Sequence, residues 1–328
     1  METLMALSGD QNATVRSGVL EALGEVIYTF VNDPDGPPQE LLDLFLTRKG
    51  NQREMTSQSP GAQTPRQSFY SDPKRPLICA FNFPAVALTL GSRRWVELRA
   101  DYLDLASDSS IGVRRTLAAS LGELAKIINS ENAQKDLIDV WRTCIKTDDE
   151  EVRLKAIESF AGLMGVVGRE VGKPLVQQLL VEWNQGNFRG WRERESIEKC
   201  LVDWVQVIGL DTLSLVFGLL KKGLEDNVAS VREAAVSIVS PIFVMPVRTV
   251  ENDCIFLYQI PKLWPAFASQ TPVLVAFYHE LEQLAKSSNY RRRMTYVVLE
   301  TLLVRLINYN LCDVFFSLSL VSSLVNKH

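Results

Sequence analysis

One short pattern returns along this 328-residue chain at intervals close to forty residues. An Asp is followed, after four other residues, by Val-Arg; full copies span Asp10–Arg16, Asp108–Arg114 and Asp226–Arg232. A variant ends in Val152-Arg153, and we interpret Trp191-Arg192 and Tyr290-Arg291 as aromatic variants. The central copies, at positions 113, 152, 191 and 231, are 39, 39 and 40 residues apart. A regular repeat constrains the fold strongly, because each unit must be one supersecondary element.

Each Val-Arg is followed by apolar residues at steps of three and four. After Val113 these are Leu117, Leu121, Leu124 and Ile128, which is the spacing of one helix face. A second apolar helix precedes each signature, so the unit is a helix pair. This period is typical of HEAT and armadillo arrays, in which neighbouring pairs stack around a continuous core.

Six units carry the signature, and a seventh without it must fill Leu41–Phe45 and Ala80–Leu90. Pro84 is expected in a first helical turn there. We therefore predict an all-α fold, a HEAT-repeat α-solenoid of about seven helix pairs in a single curved array.

The charged residues of the signature predict a ladder along one edge of the array. The Asp can accept hydrogen bonds from free N–H groups at the start of the second helix. The Arg can reach the Asp of the adjacent unit. The predicted ladder residues are Asp10, Arg16, Asp108, Arg114, Arg153, Asp226 and Arg232.

Two segments depart from the repeat and set the predicted boundaries. Residues 1–46 hold the first HEAT units, with an incomplete first helix, and residues 77–310 hold the rest of the array. Residues 47–76 carry six basic and two acidic residues, giving +4 and leaving −8 elsewhere, and are expected to form a mobile loop. Ser59 and Thr64, each before a proline, are candidate phosphorylation sites, unless the loop is an inert spacer.

The last segment, residues 311–328, is an apolar tail without a polar face. Terminal repeats normally need a polar outer surface. The tail is therefore expected if the chain is an incomplete piece of a longer array, or if a partner covers its ends.

Composition argues against most enzymatic chemistry. His279 and His328 are the two histidines, so zinc sites and Ser-His-Asp triads are disfavoured, and no cofactor is expected. Lys+Arg 35 against Asp+Glu 39 disfavours nucleic acid as a partner. The longest apolar run near the end, twelve residues from Val314, is too short to span a membrane. Five widely spaced cysteines fit a reducing compartment, the cytoplasm or the nucleus.

Two turns combine basic and aromatic residues, from Asn187 to Arg194 and from Asn289 to Met294. Because equivalent turns of a solenoid line one ridge, these side chains should point in similar directions, and Trp and Arg are enriched at interface hot spots. Alternatively, Trp191 and Tyr290 replace Val as core residues.

The segment from Cys79 to Trp95, with Phe81-Asn82-Phe83-Pro84 at its centre, resembles the HEAT-repeat regulatory subunit 1 family of serine/threonine protein phosphatase 4, particularly its fungal members. Trp191-Arg-x-Arg194 is similar to turns in the scaffold subunit of protein phosphatase 2A. The resemblance implies a non-catalytic protein that binds a serine/threonine protein phosphatase catalytic subunit, of the phosphatase 4 type, and directs it to substrate proteins. By transfer, the contact residues would be Arg115, Asp149, Arg189, Arg192, Arg194 and Arg291.

Two other functions remain open at this stage. One is a general HEAT adaptor, such as a transport or assembly factor. The other is a helical-repeat enzyme, which would depend on the single pair His279-Glu280. If the ridge is a binding surface, changing Arg192 and Arg194 to Glu should weaken partner binding and leave the melting temperature unchanged.

Overall fold

The computed structural model describes residues 2–46, 65–209, 212–248, 279–280 and 282–306, and no strand occurs in those ranges. Ser59, Thr64 and the apolar tail 311–328 lie outside them. The α-helices are α1 Glu2–Ser8, α2 Ala13–Tyr28, α3 Gln39–Phe45, α4 Pro65–Tyr70, α5 Arg75–Leu90, α6 Trp95–Ala106, α7 Ile111–Asn132, α8 Ile138–Thr147, α9 Glu150–Glu158, α10 Phe160–Val167, α11 Arg169–Asn184, α12 Trp191–Ile208, α13 Leu213–Leu224, α14 Ala229–Arg248 and α15 Tyr290–Leu306.

The described helices group into seven pairs, divided between two compact units, Met1–Gly168 and Arg169–His328. The second helices of the first four pairs are α2, α5, α7 and the consecutive α9 and α10. In the other unit they are α12, α14 and α15, the last preceded by helical residues 279–280 and 282–286. Second helices pack side by side within each unit. The predicted all-α helical-repeat solenoid is confirmed, whereas the single curved form of the array stays a prediction.

Three second helices end at a residue with a positive φ angle, and α7 is kinked at such a residue three positions before its end. Gly91, Asn129, Gly168 and Gly209 have φ of 70°, 74°, 86° and 85°, each with ψ near 170°. Only glycine adopts this region, with ψ near 170°, at no steric cost, so the backbone of Asn129 is strained there. The residue closes the helix and turns the chain into the first helix of the next pair within a few residues. A glycine follows the apolar stripe in three of these four helices, and this repeat signal in the sequence was not used for the predictions.

The predicted apolar stripes form the core. Leu117, Leu121, Leu124 and Ile128 of α7 are buried. In the first unit an aromatic cluster joins successive pairs: Phe83 contacts Phe45, Trp95 and Tyr102. The Trp95 indole N–H donates to the buried Asp136 carboxylate at 2.8 Å, which ties α6 to the start of the following pair.

The prediction of a mobile loop over residues 47–76 is wrong for residues 65–70. Residues 65–70 form α4, and the rings of Phe69 and Tyr70 are buried. The guanidinium of Arg75 lies 4.9 Å from each ring and donates to the carbonyl oxygens of Leu44 and Phe45. The low apolar content of the segment predicted a loop. However, its two aromatic rings anchor it to the core, and its basic residue Arg75 is itself buried.

The expectation that Pro84 begins a helix is also wrong. α5 begins at Arg75, with Pro76 in its first turn and Pro84 in its interior. Among the described helices, none combines the length and the apolar character that crossing a lipid bilayer requires.

Candidate partner-binding surface

An arginine occupies the same place in five of the turns that lead into second helices. In each case its Nη1 donates to the carbonyl oxygen six residues earlier, at 2.6 to 2.9 Å. The five arginines are Arg16, Arg114, Arg194, Arg232 and Arg293. A guanidinium has several donors and can therefore hold a turn closed and still bind a second group.

This bond corrects the register that we predicted for the two aromatic turns. Arg194 and Arg293, not Arg192 and Arg291, are equivalent to Arg114. Trp191 and Tyr290 therefore do not take the place of the buried Val. That place in α12 belongs to Glu193, which is buried and accepts a hydrogen bond from the Gly190 N–H at 2.9 Å. The register of this turn was predicted wrongly because the acidic Glu193 occupies the position that is Val in the signature.

The ladder between adjacent units is confirmed at Arg114. Its Nε and Nη2 bind the carboxylate of Asp148, in the next turn, at 2.8 to 3.1 Å. The hydrogen bond to Asp148 raises the pKa of Arg114. In the other unit, Arg194 makes the equivalent contact with Asp226, at 2.6 and 3.2 Å. Arg194, predicted as a partner contact, is therefore a structural residue, with a side chain only 15% exposed.

The ladder prediction is wrong for two other arginines. Arg16 donates to the carbonyl oxygens of Asp10 and Gln11, within its own turn. Arg232 donates to the Asp226 carbonyl oxygen, also within its turn. In the turn that follows Arg232, Ser287 stands at the place of Asp226, so no carboxylate is presented there. Arg153 lies half-buried in α9, where its backbone N–H donates to the Asp149 carbonyl oxygen.

The aspartates of the signature stabilise the turn rather than the first helical N–H groups. Asp10, Asp108 and Asp226 each accept from the backbone N–H two residues later, at 2.7, 2.7 and 2.8 Å. The helix cap is a separate residue, as with Asn12, which accepts from the Thr14 N–H. This local closure is the Asx-turn geometry for which Asp and Asn are favoured.

Two predicted contact residues lie in the first unit, and both have structural partners. Asp149 caps α9 by accepting a hydrogen bond from the Glu151 N–H. Arg115 is half-exposed on α7 and forms an ion pair with Glu151 at 2.6 Å. These two side chains are therefore already engaged within the chain.

The other predicted contacts, Arg189, Arg192 and Arg291, are exposed on turns of the second unit. None of the three forms an ion pair with a carboxylate of the described residues. The turns lie next to one another, because Arg194 binds Asp226 and Arg291 donates to the Asn227 carbonyl oxygen at 3.4 Å. We call the surface formed by Arg189, Arg192 and Arg291, together with Trp191 and Tyr290, the basic ridge.

The rings of the basic ridge support its guanidinium groups. Arg192 lies 4.5 Å from the centre of the Trp191 ring, and Arg291 lies 5.9 Å from that of Tyr290. Tyr290 is 62% exposed, which excludes it as a core residue. A hydrogen bond and the positive charge of Arg291 lower the pKa of Tyr290. Stacked, unpaired guanidinium groups are suited to binding carboxylate or phosphate groups.

Glu198 was not identified from the sequence. It is fully buried close to Asp226, the partner of Arg194. Its carboxylate oxygens have no side-chain partner within the described residues, and the backbone of Gly223 only partly offsets their burial. Burial, and then the nearby negative charge of Asp226, raise its pKa well above the ordinary value. Space for the carboxyl group exists because residue 223 is glycine, where a Cβ atom would lie 2.3 Å from the Glu198 carboxyl carbon.

His279 and Glu280, the pair on which an enzyme would depend, both have exposed side chains that contact other charged residues. His279 is more than half exposed, and its Nδ1 lies 3.5 Å from a carboxylate oxygen of Glu282. Within the described residues, no group of His, Cys, Asp and Glu side chains could hold a metal ion. Burial raises the pKa of Cys79, and it raises that of Cys144 to about 12, so neither thiol is an activated nucleophile.

The stacked helix pairs present arginines that have no carboxylate partner among the described residues, next to the exposed ring of Tyr290 and the half-buried ring of Trp191. These features define the class of helical-repeat binding proteins. Residues 79–181 match the family described as the protein phosphatase 4 regulatory subunit 1 middle domain. The chain is also 32% identical over 210 residues to serine/threonine-protein phosphatase 4 regulatory subunit 1 of Homo sapiens and of Mus musculus. The expected resemblance to this regulatory subunit is confirmed.

The aligned region covers 63% of this chain and 20% of each relative, so the chain spans about a fifth of the length of the curated relatives it matches. The family match contains the Phe81-Asn82-Phe83-Pro84 segment. The basic ridge lies after its last residue, at position 181.

Proposed function

We propose that this chain is a non-catalytic regulatory subunit that binds a serine/threonine protein phosphatase catalytic subunit of the phosphatase 4 type. It would direct that enzyme to substrate proteins in the cytoplasm or the nucleus. The matched relatives are named as regulatory subunits of this phosphatase, which supports the choice of partner. Cys79, Cys144 and Cys200 form no disulfide within the described residues, which agrees with a reducing compartment.

The observation that carries the proposal is the basic ridge. Three exposed arginines on adjacent turns have no carboxylate partner among the residues that the structure describes, whereas Arg114, Arg115 and Arg194 do. Unmatched charge of one sign on a surface steers an oppositely charged partner and fixes its register. We therefore propose that an acidic surface of the catalytic subunit binds to the basic ridge.

Affinity capture tests the choice of partner. The full chain, immobilised through a terminal tag, should retain purified phosphatase 4 catalytic subunit at physiological salt, and retention should decrease as salt rises. A protein phosphatase 1 catalytic subunit is the comparison enzyme. Equal retention of both enzymes, or of neither, would exclude a specific regulatory subunit and favour the general adaptor.

A further inference from the structure

Helix α5 exposes an apolar stripe that the basic ridge does not explain. Leu77, Phe81 and Leu88 are 46%, 75% and 47% exposed. Their spacing of four and seven residues places them on one face of the helix. Apart from Arg75, which is buried, α5 contains no charged residue through Leu90. The second helices on either side, α2 and α7, carry charged residues on their exposed faces.

Phe81 has no role in the core. Its neighbours in the sequence do: Phe83 joins the aromatic cluster, and Asn82 packs against Gly24 of α2 and donates to the Ile78 carbonyl oxygen. The Phe81 ring, by contrast, makes no aromatic or cation contact within the described residues. Exposing three large apolar side chains on one uncharged helix face is unfavourable for a surface that stays in water.

The two edges of the apolar stripe differ in charge. On the α2 side, Gly24 and Asn82 bring the helices together, and Glu21 and Glu25 are exposed without an ion pair within the described residues. On the α7 side, Leu77 approaches Gly112, and the nearby Arg115 is neutralised by Glu151. The surface therefore has an apolar centre and one acidic edge.

We propose that the apolar stripe and its acidic edge bind an amphipathic helix of a partner protein, with basic residues along one side. Apolar residues of that helix, spaced at one turn, would cover Leu77, Phe81 and Leu88, and its basic side chains would face Glu21 and Glu25. An unpartnered apolar helix face fits the helix-in-groove mode of recognition. The acidic edge selects the charge and orientation of the bound helix. The site is independent of the basic ridge and of the phosphatase.

A designed peptide tests the proposal without knowledge of the natural partner. The probe is a fluorescent 15-residue peptide of leucine and lysine with leucines at helical spacing, and its binding to the full chain is followed by fluorescence anisotropy. Phe81→Glu should weaken binding by about tenfold or more, as truncation of a hot-spot ring does. Val96→Glu is the matched control, because Val96 is also 75% exposed but lies on α6. Circular dichroism checks that both variants keep their helicity.

Charge reversal at the acidic edge tests the orientation. Glu21→Lys combined with Glu25→Lys should weaken binding of the leucine–lysine peptide and strengthen binding of the same peptide with Glu in place of Lys. Equal effects of Phe81→Glu and Val96→Glu, or an unchanged preference after charge reversal, would overturn the proposal. So would light scattering that shows a dimer of the unmodified chain dissociating in Phe81→Glu, because the stripe would then bind a second copy.

Discussion

The contact between Arg194 and Asp226 should contribute more to stability than any single residue of the basic ridge. Arg194 makes four hydrogen bonds: two to the Asp226 carboxylate, and two to the carbonyl oxygens of Phe188 and Arg189 at 2.9 Å. The side chains of Arg194 and Asp226 are only 15% and 8% exposed. Arg194→Ala would therefore leave a nearly buried carboxylate without its partner.

Breaking a buried ion pair by removing one member costs about 3–5 kcal/mol. Because Arg194 retains some contact with solvent, water can reach Asp226 in the variant, and we expect a loss near 3 kcal/mol. This is a large part of the roughly 5–15 kcal/mol that stabilises a typical domain. Arg192→Ala, two residues away and exposed, should change stability by no more than about 0.5 kcal/mol.

Urea unfolding followed by tryptophan fluorescence measures both changes, since Trp183 and Trp204 are buried in the same unit. A double-mutant cycle with Asp226→Ala should show coupling between the two side chains. The double change of Arg192 and Arg194 to Glu, first expected to leave melting unaffected, should instead lower the melting temperature. If Arg194→Ala is as mild as Arg192→Ala, Arg194 is not a structural residue and our assignment of the turn register fails.

Three further changes probe other parts of the structure. Since the pKa of Glu198 is raised on folding, the native state holds a proton that the unfolded chain releases, and stability should fall as pH rises above the ordinary Glu range. Glu198→Gln should remove this fall in pH-dependent urea unfolding; an unchanged slope would assign it to another group. Gly162→Ala should destabilise by about 1–3 kcal/mol in thermal melting, because its Cβ would lie 2.9 Å from Gly122 Cα; a neutral result would mean that α7 and α10 can separate. Asn129→Gly, at φ 74°, should stabilise by up to about 1 kcal/mol in the same assay, and a loss would indicate that the Asn side chain matters more than the backbone.

The sequence predicted the helix pairs, because the apolar stripes and the Asp and Arg of most turns repeat with the geometry of the fold. It predicted the register of two turns wrongly, because polar residues stand at the place of the buried Val. Glu193, which accepts from the Gly190 N–H, takes this place in one turn and Arg292 takes it in the other. Arg192 and Arg194 could not be distinguished in the sequence. Because they lie two residues apart on α12, they point in different directions: Arg192 is exposed, whereas Arg194 binds Asp226.

Other features depend on contacts between distant residues and could not be predicted. Glu198 fits only because residue 223, in the neighbouring helix α13, has no side chain. Phe81 and Phe83 are both aromatic residues in one helix, and only the packing of α2 and α7 against α5 decides that one is exposed and the other buried.

The affinity of the phosphatase 4 catalytic subunit for ridge variants tests the account most directly. In isothermal titration at physiological salt, the triple change of Arg189, Arg192 and Arg291 to Glu should reduce affinity by at least about tenfold. The control is Lys126→Glu, which changes an exposed basic residue of the first unit. The proposed function predicts a loss of affinity in the triple variant only, with unchanged melting of both proteins. Equal affinity of the triple variant and the control would contradict it.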